Sequence, residues 1–461
     1  MKKKLLIASF VAQTFFSANA QQFGNRNVLN STSHFHNSFI FEDIDADGDI
    51  DIIVTSSTGS VSSSANHVAW YKNLGNETFS AKTVISSDYR DVNTVRLLDV
   101  DGDGIKDLVV GDAVTGLSWI KNMGSGFFGA KQSLPYNSYL TTFEVGDINN
   151  DGKDDIIVAQ LNGDSLHFVR NAGNGTFVYD SMFYWPNYNI YSIGFGDLDQ
   201  DQVTDLIVSS GDTSPQRVIQ FEYVNNAFVQ TNIYASSSSP YVYRSHLYDV
   251  DNDGKMDVVT QSSDCAAYWF KNFGNNVYST LTPITVGGCM NSSMEEVGDL
   301  DGDGFMDILY MKNNVLTYRL GAGVGELNSA MLPISGTSIV GEVSRTSLFD
   351  IDRDGDLDIF YSTDNEFAWF RNNAAQLSVS EPTAVKFSVY PNPAGQQLNI
   401  ASATGINSYA IYDATGKLID KAVLDGPETN HKINVAALSN GLYFIEIQAE
   451  AGKETLKFLK N

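Results

Sequence analysis

Seven short stretches of this chain put carboxylates on alternate residues and add one more four positions later. They read Asp-x-Asp-x-Asp-x-x-x-Asp and begin at Asp43, Asp99, Asp147, Asp197, Asp249, Asp299 and Asp350. Positions 1, 3, 5 and 9 of the seven offer 28 places, and 27 are aspartate; Asn149 is the exception. Oxygens on alternate residues of a tight turn fall on one side of it, where they can wrap a hard cation such as Ca²⁺. Position 7 would add a backbone carbonyl, and the aspartate at position 9 would close the shell. The expected ligands are Asp43, Asp45, Asp47, Asp49 and Asp51; Asp99, Asp101, Asp103, Ile105 and Asp107; Asp147, Asn149, Asp151, Lys153 and Asp155; Asp197, Asp199, Asp201, Val203 and Asp205. The last three sets are Asp249, Asp251, Asp253, Lys255 and Asp257; Asp299, Asp301, Asp303, Phe305 and Asp307; and Asp350, Asp352, Asp354, Asp356 and Asp358. Up to seven Ca²⁺ are therefore expected.

An oxygen-only shell disfavours zinc and copper. Mg²⁺ would want fewer carboxylates and more water. Glycine at position 6 permits a left-handed turn without a Cβ clash, and it is present in six loops, from Gly48 to Gly355. The fourth loop has Gln202 there and the third has Asn149 at position 3, so these two are expected to bind more weakly. An EF-hand would need glutamate at position 12 and flanking helices. Position 12 is instead Val54, Val110 or Val158, inside an apolar run, so the loop belongs in a β-hairpin. The alternative is that some of the aspartates only form turns and cap them. Carboxylates this close repel one another unless a cation sits between them, so Ca²⁺ is expected to stabilise the fold.

The elements that must position these loops follow from their spacing. Successive loops start 56, 48, 50, 52, 50 and 51 residues apart, so one structural unit is repeated. In the second unit, β-type residues 93–98 enter the loop, and Leu108-Val109-Val110 leaves it as a strand suited to burial on both faces. Residues 117–121 give a third strand, 122–126 a turn, and Phe127 opens a fourth. Four short strands per 50-residue period describe a propeller blade. The third strand and its turn recur as Trp70-Tyr-Lys-Asn-Leu-Gly75, Phe168-Val-Arg-Asn-Ala-Gly173, Trp269-Phe-Lys-Asn-Phe-Gly274 and Trp369-Phe-Arg-Asn-Asn373. Aromatics repeating at one place in every unit are expected to pack between blades rather than to stack on sugars. The seventh unit stops after its third strand, near Asn373, whereas Phe23 precedes the first loop by the 20 residues that separate Phe79, Phe127 and Phe177 from theirs. Residues 22–30 are thus expected to close the ring as the fourth strand of the last blade. The expected fold is all-β: a seven-bladed β-propeller followed by a small C-terminal β-sandwich. The domains are a propeller over 21–373, a linker over 374–386 and the sandwich over 387–461, with its short alternating runs and turns.

The 461 residues carry a net charge of −26, which repels nucleic acid and anionic lipid. Residues 1–20 read as a signal peptide: three lysines, a short apolar run and an Ala-Asn-Ala cleavage site. The alternative, an N-terminal anchor, has too short an apolar run to span a bilayer comfortably. Nothing after cleavage is expected to cross a membrane. Cys265 and Cys289 could bridge in an exported chain or remain thiols.

The acidic loops and their aromatic-Asn-x-Gly turns resemble FG-GAP (VCBS-type) repeats across residues 22–373. That family includes the propeller of integrin α subunits, and the resemblance implies Ca²⁺ bound in a hairpin between the first two strands of each blade. The tail resembles the type IX secretion C-terminal sorting domain of Bacteroidota, through Tyr390-Pro-Asn-Pro393, Leu398-Asn-Ile400, Ile411-Tyr-Asp-Ala-Thr-Gly-Lys417, Leu438-Ser-Asn-Gly-Leu-Tyr-Phe-Ile445 and Lys457-Phe-Leu-Lys460. It implies engagement of that secretion machinery and a destination outside the cell or on the outer-membrane surface.

Catalytic patterns are sparse. The six histidines fall at unrelated repeat positions, and His34-Phe-His36 lacks further ligands for zinc. There is no nucleophile elbow, His-Glu-x-x-His or phosphate loop. The expected role is a binding or adhesion module for a glycan or an extracellular protein, acting as a monomer and not as an enzyme. The alternative is a Ca²⁺-dependent polysaccharide lyase or hydrolase, which a cluster of Lys, Arg, Tyr and His in one central pocket would favour. Candidate surface lies at residues 58–66 and 179–191, the second rich in Tyr and Trp.

Overall fold

The computed structural model describes residues 22–461 apart from 32–35, 59–65, 76, 161–164, 185–188, 212–215, 226, 238–241, 263–265, 285–291, 329, 335–338, 340, 342, 375–386, 415 and 450–451. Residues 1–20, expected to be a signal peptide, lie outside the described residues, as do His34, Cys265, Cys289, nearly all of the expected linker and most of the insertion at 58–66. So does part of 179–191.

The chain divides into two compact units between Leu377 and Ser378. The first is a propeller of repeated antiparallel sheets, and seven four-stranded sheets are found among its described residues. Sheet 1 runs Phe39–Glu42, Asp51–Ser56, His67–Tyr71, Thr83–Ser86; sheet 2 runs Val92–Leu98, Asp107–Asp112, Gly116–Asn122, Phe128–Ser133. Sheets 3, 4 and 5 start at Leu140–Gly146, Asn189–Gly196 and Val242–Tyr248, and sheet 6 at Ser292–Gly298. Sheet 7 orders Val343–Phe349, Asp358–Thr363 and Phe367–Asn372 beside Phe23–Asn30, the N-terminal strand. Asn27 pairs with Trp369 and Val28 with Ala368. The strand expected to close the ring does so.

The second strand of each sheet is apolar on both faces because both faces meet a neighbour. Side chains alternate across a strand. Ile52 and Val54 therefore pack with Phe360, Phe367 and Trp369 of sheet 7, while Ile53 packs with Val95, Leu108 and Val110 of sheet 2. Seven such clusters join consecutive sheets, the last joining sheet 7 to sheet 1. The third-strand aromatics lie in these seams, as expected: Trp70 meets Phe128 edge-on at 6.1 Å, and Trp369 stacks on Phe360 at 5.6 Å.

The C-terminal unit is a β-sandwich made from one continuously bonded sheet of five strands. Its long strand Gln397–Asp413 pairs first with Phe387–Tyr390 and then with Gly441–Ala449. The change of partner encloses one core that includes Leu398, Ile406, Ile445 and Phe458.

Candidate metal centres

Each acidic loop joins the first and second strands of a sheet, and all seven fold alike. The position 1 carboxylate accepts the N–H groups of positions 5 and 6: Asp47 and Gly48 donate to Asp43 at 3.0 and 2.9 Å, and Asp253 and Gly254 to Asp249 at 3.0 and 2.8 Å. The position 5 carboxylate accepts the N–H of position 7, from Asp49 to Asp47 at 3.0 Å through to Asp356 to Asp354 at 3.2 Å. These bonds fix the turn before any ligand enters.

Two residues per loop take left-handed backbone. Position 6 was expected, and it holds φ between 72° and 99°, Gln202 included. Position 4 was not foreseen: Ala46, Asn150, Gln200, Asn252 and Arg353 sit at φ 55° to 68°. Gln202 donates its N–H to Asp197 at 3.0 Å, as the glycines do, so the fourth loop closes in the same way.

The position 9 aspartate anchors the loop to its sheet. Asp107 accepts the N–H of Val100 at 3.1 Å on one oxygen and that of Asn122 at 2.8 Å on the other. Asn122 in turn donates to the Ile44 carbonyl in the preceding unit's loop at 3.2 Å. Asn272 and Asn372 do the same to Leu198 and Leu300, at 2.6 and 2.7 Å. The recurring asparagine thus links neighbouring acidic loops, whereas its pairing with glycine in the sequence marks only a turn. Burial raises the position 9 carboxyls to about 6 at Asp51, Asp107 and Asp257, about 7 at Asp155, Asp205 and Asp307, and about 8 at Asp358.

A basic residue beside the asparagine was also missed by sequence reasoning, although Lys-Asn or Arg-Asn recurs there. Lys72 pairs with Asp45 and with Asp47 (2.7 Å), Lys121 with Asp101 and Asp103, and Lys271 with Asp251 and Asp253. These ammonium groups bond the outer oxygens. The hydrogen bond from Lys72 holds Asp47 below the usual carboxylate range.

The inner oxygens of position 3 are different. Asp45 Oδ1, Asp101 Oδ1, Asn149 Oδ1 and Asp251 Oδ1 are buried and accept no hydrogen bond among the described residues. An acceptor left unsatisfied in this way costs about 1–3 kcal/mol, and here the same atom is left so in four loops. Carboxylate oxygens of Asp43, Asp45 and Asp51 lie within 4.8 Å of one another, as do those of Asp99, Asp101 and Asp107, of Asp197, Asp199 and Asp205, and of Asp249, Asp251 and Asp257. In the sixth loop the trio is Asp299, Asp301 and Asp303. An all-oxygen donor set with an unsatisfied inner acceptor fits a hard divalent cation.

Residues 43–110, 99–158, 147–208 and 221–310 match the FG-GAP-like repeat family, together more than half of the chain. The chain belongs to the FG-GAP-like repeat family. Residues 388–461 match the secretion system C-terminal sorting domain, which directs type IX export to the secreted or cell-surface compartment. No curated protein sequence matches the chain. Among solved structures, this FG-GAP-repeat protein is similar to an Agrocybe aegerita lectin that recognises non-reducing terminal N-acetylglucosamine. The TM-score is 0.51 at 15% identity, over 73% of this chain and 86% of the lectin. BBS1N in complex with ARL6DN is similar at TM-score 0.49 and 12% identity, over 76% and 97% of the two chains. The lectin likeness is one of fold.

Two further candidates of this FG-GAP-repeat protein, His36 and Tyr179, form hydrogen bonds within their own sheets. His36 is buried, with Nδ1 2.8 Å from Ser56 Oγ and 3.1 Å from the Thr55 carbonyl. The Tyr179 hydroxyl lies 2.8 Å from His167 Nδ1 on the same hairpin.

Proposed function

We propose that this is a calcium-stabilised recognition module, carried out of the cell by its sorting domain, that engages a glycan or an extracellular protein through its propeller. The observation that carries the calcium reading is the position 3 oxygen left without a hydrogen bond among the described residues at the same place in the first, second, third and fifth loops. The proposed ligands are positions 1, 3, 5, 7 and 9 of all seven loops. Asn149 presents an oxygen where the other loops have a carboxylate, and the fourth loop keeps the common turn, so both are included. After loss of residues 1–20, the propeller is taken as 21–373, the linker as 374–386 and the sorting domain as 387–461. Cations between the loops would neutralise the acidic turns and hold one propeller face rigid, which preorganises it for binding. The fungal lectin gives a precedent for sugar recognition on a related scaffold.

The test is a screen of the mature protein against polysaccharides and extracellular proteins, in Ca²⁺ and in chelator. A calcium-dependent hit is expected. A folded, calcium-loaded sample that binds nothing would overturn the recognition role.

A polysaccharide-active enzyme is the second reading. Arg96, Arg244, His246 and Arg345 stand with Glu144, Glu295 and Glu296 on the innermost strands of five sheets. Shortening of any polysaccharide in the same screen would favour it.

A further inference from the structure

The first strand of every sheet lines the propeller axis and runs toward its acidic loop. Residues the same distance before the loops therefore share one axial level. Arg96, Glu144, His246 and Glu296 each lie three residues before the first aspartate, and Arg244 and Arg345 lie five before it. Only ten arginines occur in the chain, and three of them are on these strands.

The cluster is asymmetric. On one side Arg96 and Glu144 close a two-pronged pair, Nε to Oε2 at 2.6 Å, with Arg96 Nη1 also 3.3 Å from Ser38 Oγ. On the other side, in sheets 5 to 7, the contacts are loose. Arg244 Nη1 is 3.9 Å from Glu295 Oε2, and His246 Nδ1 is 3.8 Å from Glu296 Oε2. The Arg345 side chain makes no hydrogen bond or ion pair among the described residues. The Arg244 side chain is 52% exposed and Glu295's only 10%, so the charge offered to the channel here is the guanidinium. Arg345 is exposed too, yet the protein around it desolvates it and lowers its pKa, with Glu296, Arg96, Arg244 and Glu144 all acting on it. An exposed side chain on the innermost strand of a closed ring of sheets faces the ring's axis.

We propose that the axial channel is a carboxylate-binding site that takes a uronate sugar, whose carboxylate sits between Arg345 and Arg244 and whose hydroxyls donate to Glu296. The inference deepens the recognition role and rests on it. A guanidinium with no partner presents a planar fork that matches a carboxylate in two parallel bonds. Glu144 and Glu296, on one axial level, oppose a second negative charge, so a monoanion fits better than a dianion such as phosphate. Glu296 has oxygen acceptors to offer, and sugar hydroxyls are the matching donors. The chain's overall charge of −26 repels anions at a distance, so capture depends on these local arginines.

The experiment is calorimetric titration of the calcium-loaded mature protein with oligogalacturonate, with the corresponding neutral oligosaccharide and with inorganic phosphate. Oligogalacturonate is expected to bind and the other two to bind at least tenfold more weakly. Arg345→Gln and, independently, Arg244→Gln should each weaken oligogalacturonate at least tenfold, Arg345→Lys should weaken it less, and Arg170→Gln should not change it. Arg170 pairs with Asp180 on an outer strand. Each variant is first checked for an unchanged melting temperature, and Arg244→Gln serves if Arg345→Gln does not fold. Equal binding of the neutral sugar or of phosphate, no oligogalacturonate binding, or full binding by the folded arginine variants would overturn the proposal. If the protein instead binds a glycan without uronate, and Arg345→Gln leaves that binding intact, recognition stands and the axial site falls.

Discussion

The acidic loop works because each oxygen has a separate task. Position 1 holds the turn, position 5 caps it and position 9 anchors it, and in four loops position 3 keeps an inner oxygen with no hydrogen bond among the described residues. Gln202 shows what the turn costs a residue with a Cβ. It holds φ 72° where the other loops use glycine, and left-handed backbone costs an L-residue about 1–2 kcal/mol. Gln202→Gly should therefore stabilise the protein by roughly 1 kcal/mol in denaturant unfolding; a loss of stability would mean that the glutamine side chain itself supports the loop. The position 9 carboxyls carry a pH signature. Their folded pKa values, raised to about 6–8 by burial, exceed the ordinary unfolded value near 4. A raised carboxyl stabilises the fold below the unfolded value and loses that contribution as pH climbs through the folded one. In chelator, the melting temperature should fall between pH 5 and pH 8. In saturating Ca²⁺, which favours the ionised form, the fall should be smaller. A chelated sample with a flat profile would show that these carboxyls are ionised without a cation.

At the level of elements, stability is concentrated where one unit reaches into the next. Phe23 is 2% exposed and meets Tyr318 of sheet 6 edge-on at 5.1 Å, although it belongs to the strand that completes sheet 7. Phe23→Ala should cost about 3–5 kcal/mol, and deletion of residues 22–30 should lower the melting temperature further by opening a sheet edge. An unchanged melt would mean that the strand is dispensable. Asn272 bridges two units, donating to the carbonyls of Leu198 (2.6 Å) and Met256 (3.0 Å) while accepting the Gly274 N–H at 2.8 Å. Asn272→Ala leaves these groups unpaired and should destabilise by about 2 kcal/mol in denaturant unfolding.

For the molecule as a whole, cation binding should couple to stability by mass action. One site at 100 times its dissociation constant contributes about 2.7 kcal/mol, so chelation should lower the propeller's melting temperature markedly, and a constant melt would remove calcium from any structural role. The sorting domain has its own core and its own family match. Removing residues 388–461 should leave the propeller folded but inside the cell envelope, as fractionation would show; continued appearance outside would mean that another signal exports it.

The repeat, the acidic loops, the ring-closing strand and the tail were legible in the sequence because each rests on local chemistry: spacing, turn residues and alternation. A strand apolar on both faces, such as Leu108-Val109-Val110, announces two neighbours without further information. What required the tertiary structure is whatever depends on residues far apart in the chain. The left-handed position 4 tolerates Ala46 and Arg353, so no residue type marks it. Lys72 lies 27 residues from Asp45, and the pairing exists only because the third strand returns beside the loop. Arg96, Glu144, His246, Glu296 and Arg345 are spread over some 250 residues and look unremarkable one by one. They share an axial channel only because the ring closes, bringing the first strands of all the sheets around a common axis.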